Sequence, residues 1–150
     1  MNRKRYEGFS LIEILVVVAL IVILSTITIV AINPVKNFRD TRNAQRSSDV
    51  NAILNAVTQY TTDGKVLPTG IMACDPTDPT IGTPIGTATG NVNLGAILTG
   101  TGDADYMVSI PIDPSEGNAE DTGYVICTIG TRVQIAAPNA EDGKVIAVKR

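Results

Sequence analysis

The 150-residue chain has no His, no Trp, two Cys and only 4% aromatic residues. Without His it lacks the commonest general base and the commonest zinc ligand. Ser-His-Asp and Cys-His catalysis are therefore excluded. No other catalytic constellation is recognisable, and the residues call for no cofactor. A core so poor in rings must be built from Ile, Val and Leu. An excess of positive charge is also missing: 12 Lys plus Arg stand against 15 Asp plus Glu, for a net charge of −3. That balance argues against a nucleic-acid partner held through a basic surface. Glycine is absent from Phe9 to Asp63, where Pro34 is the single proline, so nothing but Pro34 interrupts a long helix there. At this length one compact domain with one appendage is expected.

Phe9 to Ile32 reads FSLIEILVVVALIVILSTITIVAI and carries one charge, Glu13. A hydrocarbon core of about 30 Å needs a helix of roughly 20 apolar residues, and this run meets that length. It is apolar on every side, which no surface helix is. Arg3, Lys4 and Arg5 precede it, which favours an N-terminus kept in the cytoplasm. Lys36, Arg39, Arg42 and Arg46 lie beyond it and weaken the asymmetry. The run is longer than the apolar region of an ordinary secretory signal, and no A-x-A cleavage site succeeds it. Neither a plain signal nor a plain anchor explains Glu13, because a carboxylate inside a spanning segment costs a few kcal/mol.

Gly8-Phe9-Ser10-Leu11-Ile12-Glu13, behind a short basic leader and ahead of the apolar run, resembles the class III signal of type IV pilins and pseudopilins. The resemblance is specific over residues 1–32, looser to about Gly64, and one of general plan beyond. It implies removal of residues 1–8 by a prepilin peptidase cutting between Gly8 and Phe9, and N-methylation of Phe9. It implies that Glu13 sets the register of assembly. The residues make chemical sense of this. Gly8 offers an unhindered carbonyl. Cleavage frees an ammonium at Phe9, and in a bundle staggered by about one turn, roughly 5.4 Å, that ammonium can meet a neighbour's Glu13. The competing reading has Glu13 snorkel to the cytoplasmic headgroups.

The segments 9–33 and 34–63 are expected to form one long helix, about 82 Å if straight at 1.5 Å per residue. The first part is a transmembrane and assembly helix, the second an amphipathic one. Val50, Ile53, Leu54, Val57 and Tyr60 form a stripe spaced to dock on a sheet. Gly64 is placed to stop the helix. Pro34 is a joint, either as an internal kink that clashes with the Val30 carbonyl, or as the first residue of a second helix capped by Asn33. Unwinding on assembly is expected around Val30 to Val35. Lys36, Arg39, Arg42 and Arg46 read as a solvated or headgroup-facing collar, with Asp40 pairing Lys36 and Asp49 pairing Arg46 at helical spacing. The alternative is that this basic collar meets the acidic head of a neighbouring subunit. From Gly64 on there are five basic and ten acidic residues, a net of −5.

Residues 64–150 are expected to form a globular head. Residues 64–123 read as a long variable loop with a short element around Val92 to Leu98, and 124–150 as a small antiparallel sheet. Tyr124–Ile129 and Arg132–Ala137 make a hairpin around Gly130-Thr131. Val145–Val148 is a third strand. Cys74 and Cys127, an even count in an exported domain, point to a disulfide closing a loop, with two buried free thiols as the alternative. The Pro111-Ile-Asp-Pro114 stretch is similar to a loop that can bind calcium in major pseudopilins. Its spacing does not match an EF-hand, and acidic turns are usually only solvated, so no metal site is assigned.

The fold expected is α+β and pilin-like: a long N-terminal helix with a small antiparallel sheet head. The function expected is assembly, as a subunit of a type IV pilus-like filament, with a secretion pseudopilin or a membrane-tethered binding domain as alternatives. The partners implied are like subunits, prepilin peptidase, the membrane assembly machinery and the bilayer. The location implied is the cytoplasmic membrane first, and a periplasmic or extracellular filament later.

Overall fold

The computed structural model describes residues 8–100 and 105–150. The basic residues of the expected leader, Arg3, Lys4 and Arg5, and the loop residues 101–104 lie outside the described residues. The chain divides into two compact units, Met1–Phe38 and Arg39–Arg150.

In the first unit, α1 runs from Leu11 to Ile32 and buries none of its side chains. Two of its polar residues satisfy themselves. The Thr26 and Thr28 hydroxyls donate to the carbonyls of Val22 and Leu24 at 2.8 and 2.9 Å, so each offers an apolar environment no unpaired donor. The helix stops at Asn33, which adopts the left-handed conformation with φ 46° and ψ 73°. The second helix, α2, spans Pro34–Thr62. Asn33 also caps α2: its side-chain oxygen accepts the Lys36 N–H at 3.3 Å. Pro34 then stands at the first helical position, where its missing N–H leaves nothing unpaired. Of the two readings of Pro34, the geometry is that of a second helix.

In the second unit, α2 ends in a Schellman motif. Gly64 takes φ +75°, its N–H reaches the Thr61 carbonyl, and the Lys65 N–H reaches the Tyr60 carbonyl. A side chain at Gly64 would be strained in that conformation, which explains the glycine. The sheet has four antiparallel strands in the order β1 (Thr83–Pro84), β2 (Val125–Ile129), β3 (Arg132–Ala136) and β4 (Ala147–Lys149). Ile126 lies opposite Ile135, and Ile135 opposite Val148. This row belongs to the same core as the helix stripe Val50, Ile53, Leu54 and Val57, all nearly or fully buried.

The head differs from expectation in residues 64–123. This segment supplies Ile85, Val92, Leu94 and Leu98 to the core, all buried. It contains β1, and the short element expected around Val92 to Leu98 is a one-turn helix, α3 (Gly95–Leu98). Main-chain bonds tie it to the sheet: the Ile85 N–H donates to the Tyr124 carbonyl at 2.9 Å, and the Thr122 N–H returns to the Ile85 carbonyl at 2.9 Å. Much of what reads as loop is thus a layer of the core, held by non-local pairing that periodicity does not reveal.

Cys74 and Cys127 form a disulfide with a sequence separation of 53. The Cys74 N–H donates to the Thr128 carbonyl at 3.0 Å, and the Thr128 N–H to the Met72 carbonyl at 3.0 Å, so this stretch lies along β2. Closing a loop of this size stabilises by about 4 kcal/mol in the chain-entropy model. Replacing both residues, Cys74→Ser with Cys127→Ser, is expected to lower the Tm of the head by roughly 10 °C or more. Calorimetry on the full chain in detergent micelles, with and without reductant, checks this. An unchanged Tm rules out that contribution.

Candidate functional site

The N-terminal motif is organised around Ser10. Its backbone is extended, with φ −81° and ψ 150°, and its hydroxyl accepts the Glu13 N–H at 3.3 Å. The Glu13 carboxylate returns to the Ser10 N–H at 3.5 Å. This reciprocal capping box starts α1 at Leu11. Gly8 and Phe9 therefore lie ahead of the helix, and Phe9 is 81% exposed. A peptide bond in this position needs no unwinding before a protease can bind it. The box also gives Glu13 partners within its own chain: a backbone N–H and the positive end of the helix dipole. Ser-x-x-Glu ahead of an apolar run is the sequence signature of such a box, a local role for Ser10 that the distant partner implied for Glu13 obscures.

A second polar centre lies in the head, where the sequence reading expects none. Arg46, on α2, is completely buried. Its guanidinium makes a two-pronged contact with Asp113: Nε to Oδ2 at 2.6 Å and Nη2 to Oδ1 at 3.1 Å. Nη2 also donates to the Ser115 hydroxyl at 2.7 Å, and Nη1 to Asn43 and Glu141 at 3.1 Å each. Asn43 in turn clasps the backbone of Glu141, its amide donating to the carbonyl and its oxygen accepting the N–H, both at 3.0 Å. Arg42 grips the Glu141 carboxylate with two donors, one at 2.7 Å. Arg39 pairs with Asp142 at 3.0 Å and Lys144 with Asp40 at 2.6 Å. One turn further along α2, Asp49 accepts from the buried Tyr124 hydroxyl and from Gln45, both at 2.7 Å.

This corrects the reading of the collar. Arg39, Arg42 and Arg46 are committed to carboxylates of their own head. Asp49 takes Tyr124 and Gln45 in place of Arg46. The reason is tertiary: the loop at 113 and the turn at 139–142 pack onto the same face of α2, and the arginines neutralise what they bring. Gly117 helps hold the loop in place, since a Cβ there would sit 2.6 Å from the Asp113 nitrogen. The same geometry removes Asp113 from metal binding. Both of its oxygens face Arg46, and one also accepts from Ser115. Asn118 caps its own turn, and the Asp121 carboxylate accepts the Gly123 N–H. Among the described residues no group of three or more acidic or thiol side chains converges to hold an ion.

The carboxylates of this centre are strongly shifted. Burial opposes the charge on Asp113, yet the bonds from Arg46 and Ser115 outweigh it and hold its pKa at about 2, below the ordinary 3.8. The bonds from Arg42, then Arg46, hold Glu141 at about 2, below 4.5. Burial, then the bond to Asp49, pushes the Tyr124 hydroxyl above its ordinary range. For a depressed carboxylate the stabilising contribution is complete above the unfolded pKa and disappears as pH falls through the folded one. Head stability is therefore expected to hold down to about pH 4.5 and to fall between about 4.5 and 2. Tyr124 runs the other way, with stability falling as pH rises above about 10. Thermal unfolding across pH checks both limbs. Arg46→Ala, which leaves Asp113 buried and unpaired, is expected to cost about 3–5 kcal/mol. A loss under about 1 kcal/mol in denaturant titration contradicts the clasp.

Compared with known proteins, the chain has one recognised segment. Residues 3–29 match the family model of the prokaryotic N-terminal methylation motif. No curated protein and no solved structure matches the chain. The matched segment covers the basic leader, Gly8, Phe9, Glu13 and most of α1, and α1 is long and apolar enough to cross a membrane. The chain thus carries the class III signal characteristic of type IV pilins and pseudopilins, at the start of a helix long and apolar enough to cross a membrane and ahead of a small α+β head.

Proposed function

We propose that the chain is the precursor of a structural subunit of a type IV pilus-like filament. The observation that carries this reading is α1. It has 22 residues and buries none of them, and a recognised methylation motif sits at its start. An apolar cylinder of that size is stable in a bilayer, or inside a bundle of its own kind. Both environments are required of a subunit that waits in the membrane and then polymerises.

In this reading a prepilin peptidase cuts the exposed Gly8–Phe9 bond and Phe9 is N-methylated. The leader leaves and the apolar helix stays. The new ammonium at Phe9 lies next to Ser10, whose N–H the Glu13 carboxylate already faces. When a neighbouring helix arrives about one turn out of register, Glu13 can exchange this weak local contact for the neighbour's ammonium, a charge-assisted partner. The pairing sets the axial step, and apolar contact along α1 supplies the attraction. Before assembly the N-terminus stays in the cytoplasm and the head lies outside. A secretion pseudopilin would share all of this and differ in the length of the polymer.

Mass spectrometry of sheared, filament-enriched material is expected to find N-methyl-Phe9 as the first residue. An intact Met1 in assembled material overturns the proposal. Glu13→Gln is expected to preserve cleavage, because glutamine also completes a capping box, and to reduce polymer yield at least about tenfold, the loss of one charge-assisted contact per subunit. Full polymer yield from that variant removes Glu13 from the mechanism.

A further inference from the structure

We infer that the head carries two complementary surfaces at opposite ends of its part of α2, a cationic cleft and an acidic loop, and that they join the head of one copy to the next. The inference rests on the filament reading above and names the surfaces that would operate in it.

The clasp determines which charges are left over. From Arg39 on there are eight Lys and Arg residues. Arg39, Arg42, Arg46 and Lys144 are engaged by carboxylates of the same head. The other four, Lys65, Arg132, Lys149 and Arg150, come from the end of α2, the hairpin turn and the end of β4. Three of them rim a cleft of about 500 Å³ that also involves Val57, Leu67 and Val133, and no acidic side chain lines it. The rim is partly pre-positioned. Arg150 donates to Asn55 at 2.9 Å. The Lys65 ammonium lies 5.0 and 5.6 Å from the centres of the Tyr106 and Tyr60 rings. The Arg132 side chain is exposed and has no hydrogen bond or ion pair among the described residues.

The opposite end of the head is acidic. Glu116, Glu120 and Asp121 are exposed on the loop that Asp113 anchors to Arg46. None of the three forms an ion pair among the described residues. The loop is held in shape by the Asn118 N–H bond to the Asp121 carbonyl at 2.7 Å, so its charges are offered in a fixed arrangement. Arg46, which anchors the acidic loop, and Thr61, which lines the cleft, are 15 residues apart on one helix, about 22 Å at 1.5 Å per residue.

Two different, complementary surfaces at opposite ends of one body make a head-to-tail contact. Such contacts propagate rather than close unless the rotation returns to its start. A two-fold dimer would instead need one self-complementary patch. The occupant assigned to the cleft is therefore the acidic loop of a second copy, already at high local concentration because α1 polymerises. Complementary charge of this kind fixes register and orientation more than it adds raw affinity.

The test uses the full chain in cells that process and assemble it. Lys65→Glu with Arg132→Glu, and separately Glu116→Lys with Glu120→Lys, are each expected to cut the yield of sheared filaments about tenfold, and all four changes together to restore it to within about threefold of wild type. N-terminal mass spectrometry should find Phe9 as the first residue in every variant, showing that processing is untouched. Wild-type filaments should also break into shorter pieces when NaCl is raised from about 50 to 500 mM, which screens exposed charge pairs. Wild-type yield from both two-residue variants, or salt-independent filament length, overturns the inference while leaving the filament reading standing. A wild type that never polymerises overturns both. If the variants assemble normally but Lys65→Glu with Arg132→Glu abolishes retention of dextran sulfate by filaments, the cleft serves a soluble polyanion and the contact between copies is refuted.

Discussion

A buried guanidinium is tolerable only if its counter-charge and its remaining donors are all provided, and the head is arranged around meeting that condition for Arg46. Asp113 faces it with both oxygens, Ser115 and Asn43 take further donors, and Glu141 completes the set from the turn before β4. These partners come from positions separated from Arg46 by as many as 95 residues. The pair is therefore the point at which helix, loop and sheet are compelled to agree. Apolar packing around Ile53, Ile126 and Ile135 supplies the bulk of the driving force. It would tolerate small shifts of the layers, whereas a two-pronged ion pair sealed from water would not, because an unpaired buried charge costs several kcal/mol. Specificity of the head thus rests on polar geometry laid over a permissive aliphatic core.

The two halves of the chain handle charge in opposite ways. In α1 the one carboxylate is met locally by Ser10, three residues away, and the Thr26 and Thr28 hydroxyls turn back onto their own helix. These polar groups are satisfied without tertiary structure, which is what a segment facing lipid or another apolar helix requires. In the head the arginines of α2 reach across the fold. Because these cations are consumed internally, they are not offered to other molecules, and the charge pattern left on the surface is set by what the clasp does not use.

How much is legible in the sequence depends on the range of each signal. α1 and the stripe of α2 are readable because hydrophobic spacing is a local property. The β2–β3 hairpin is readable because Gly130-Thr131 sits between two β-branched runs. Gly64 is readable because helix termination is written within a few residues. The burial of Arg46 is not. On a helical wheel it shares a face with Arg39 and Arg42 and equally with Val50, Ile53 and Val57, so spacing does not separate a solvated collar from a buried continuation of the stripe, and its partner Asp113 is 67 residues away in a turn-rich stretch. Ile85, Val92, Leu94 and Leu98 escape for a similar reason: they sit among Gly, Thr and Pro with no sustained period, and enter the core through long-range main-chain pairing. Ser10 is a different case. Its pattern is plain, but the resemblance already gives Glu13 a distant partner, and that role hides the nearer one.

Asn33 has a consequence for how such a chain can change over time. Asn33 ends α1 with its left-handed backbone and opens α2 with its side chain, while the Asn37 amide of α2 donates to the Ile32 carbonyl at 3.1 Å. The end of the apolar helix is thus completed by a side chain from the first turn of α2. A different head could be joined behind residue 37 without disturbing the apolar half, since both asparagines would be kept. The boundary between the apolar helix and the rest of the chain would then be a pair of asparagines, one on each side of Pro34.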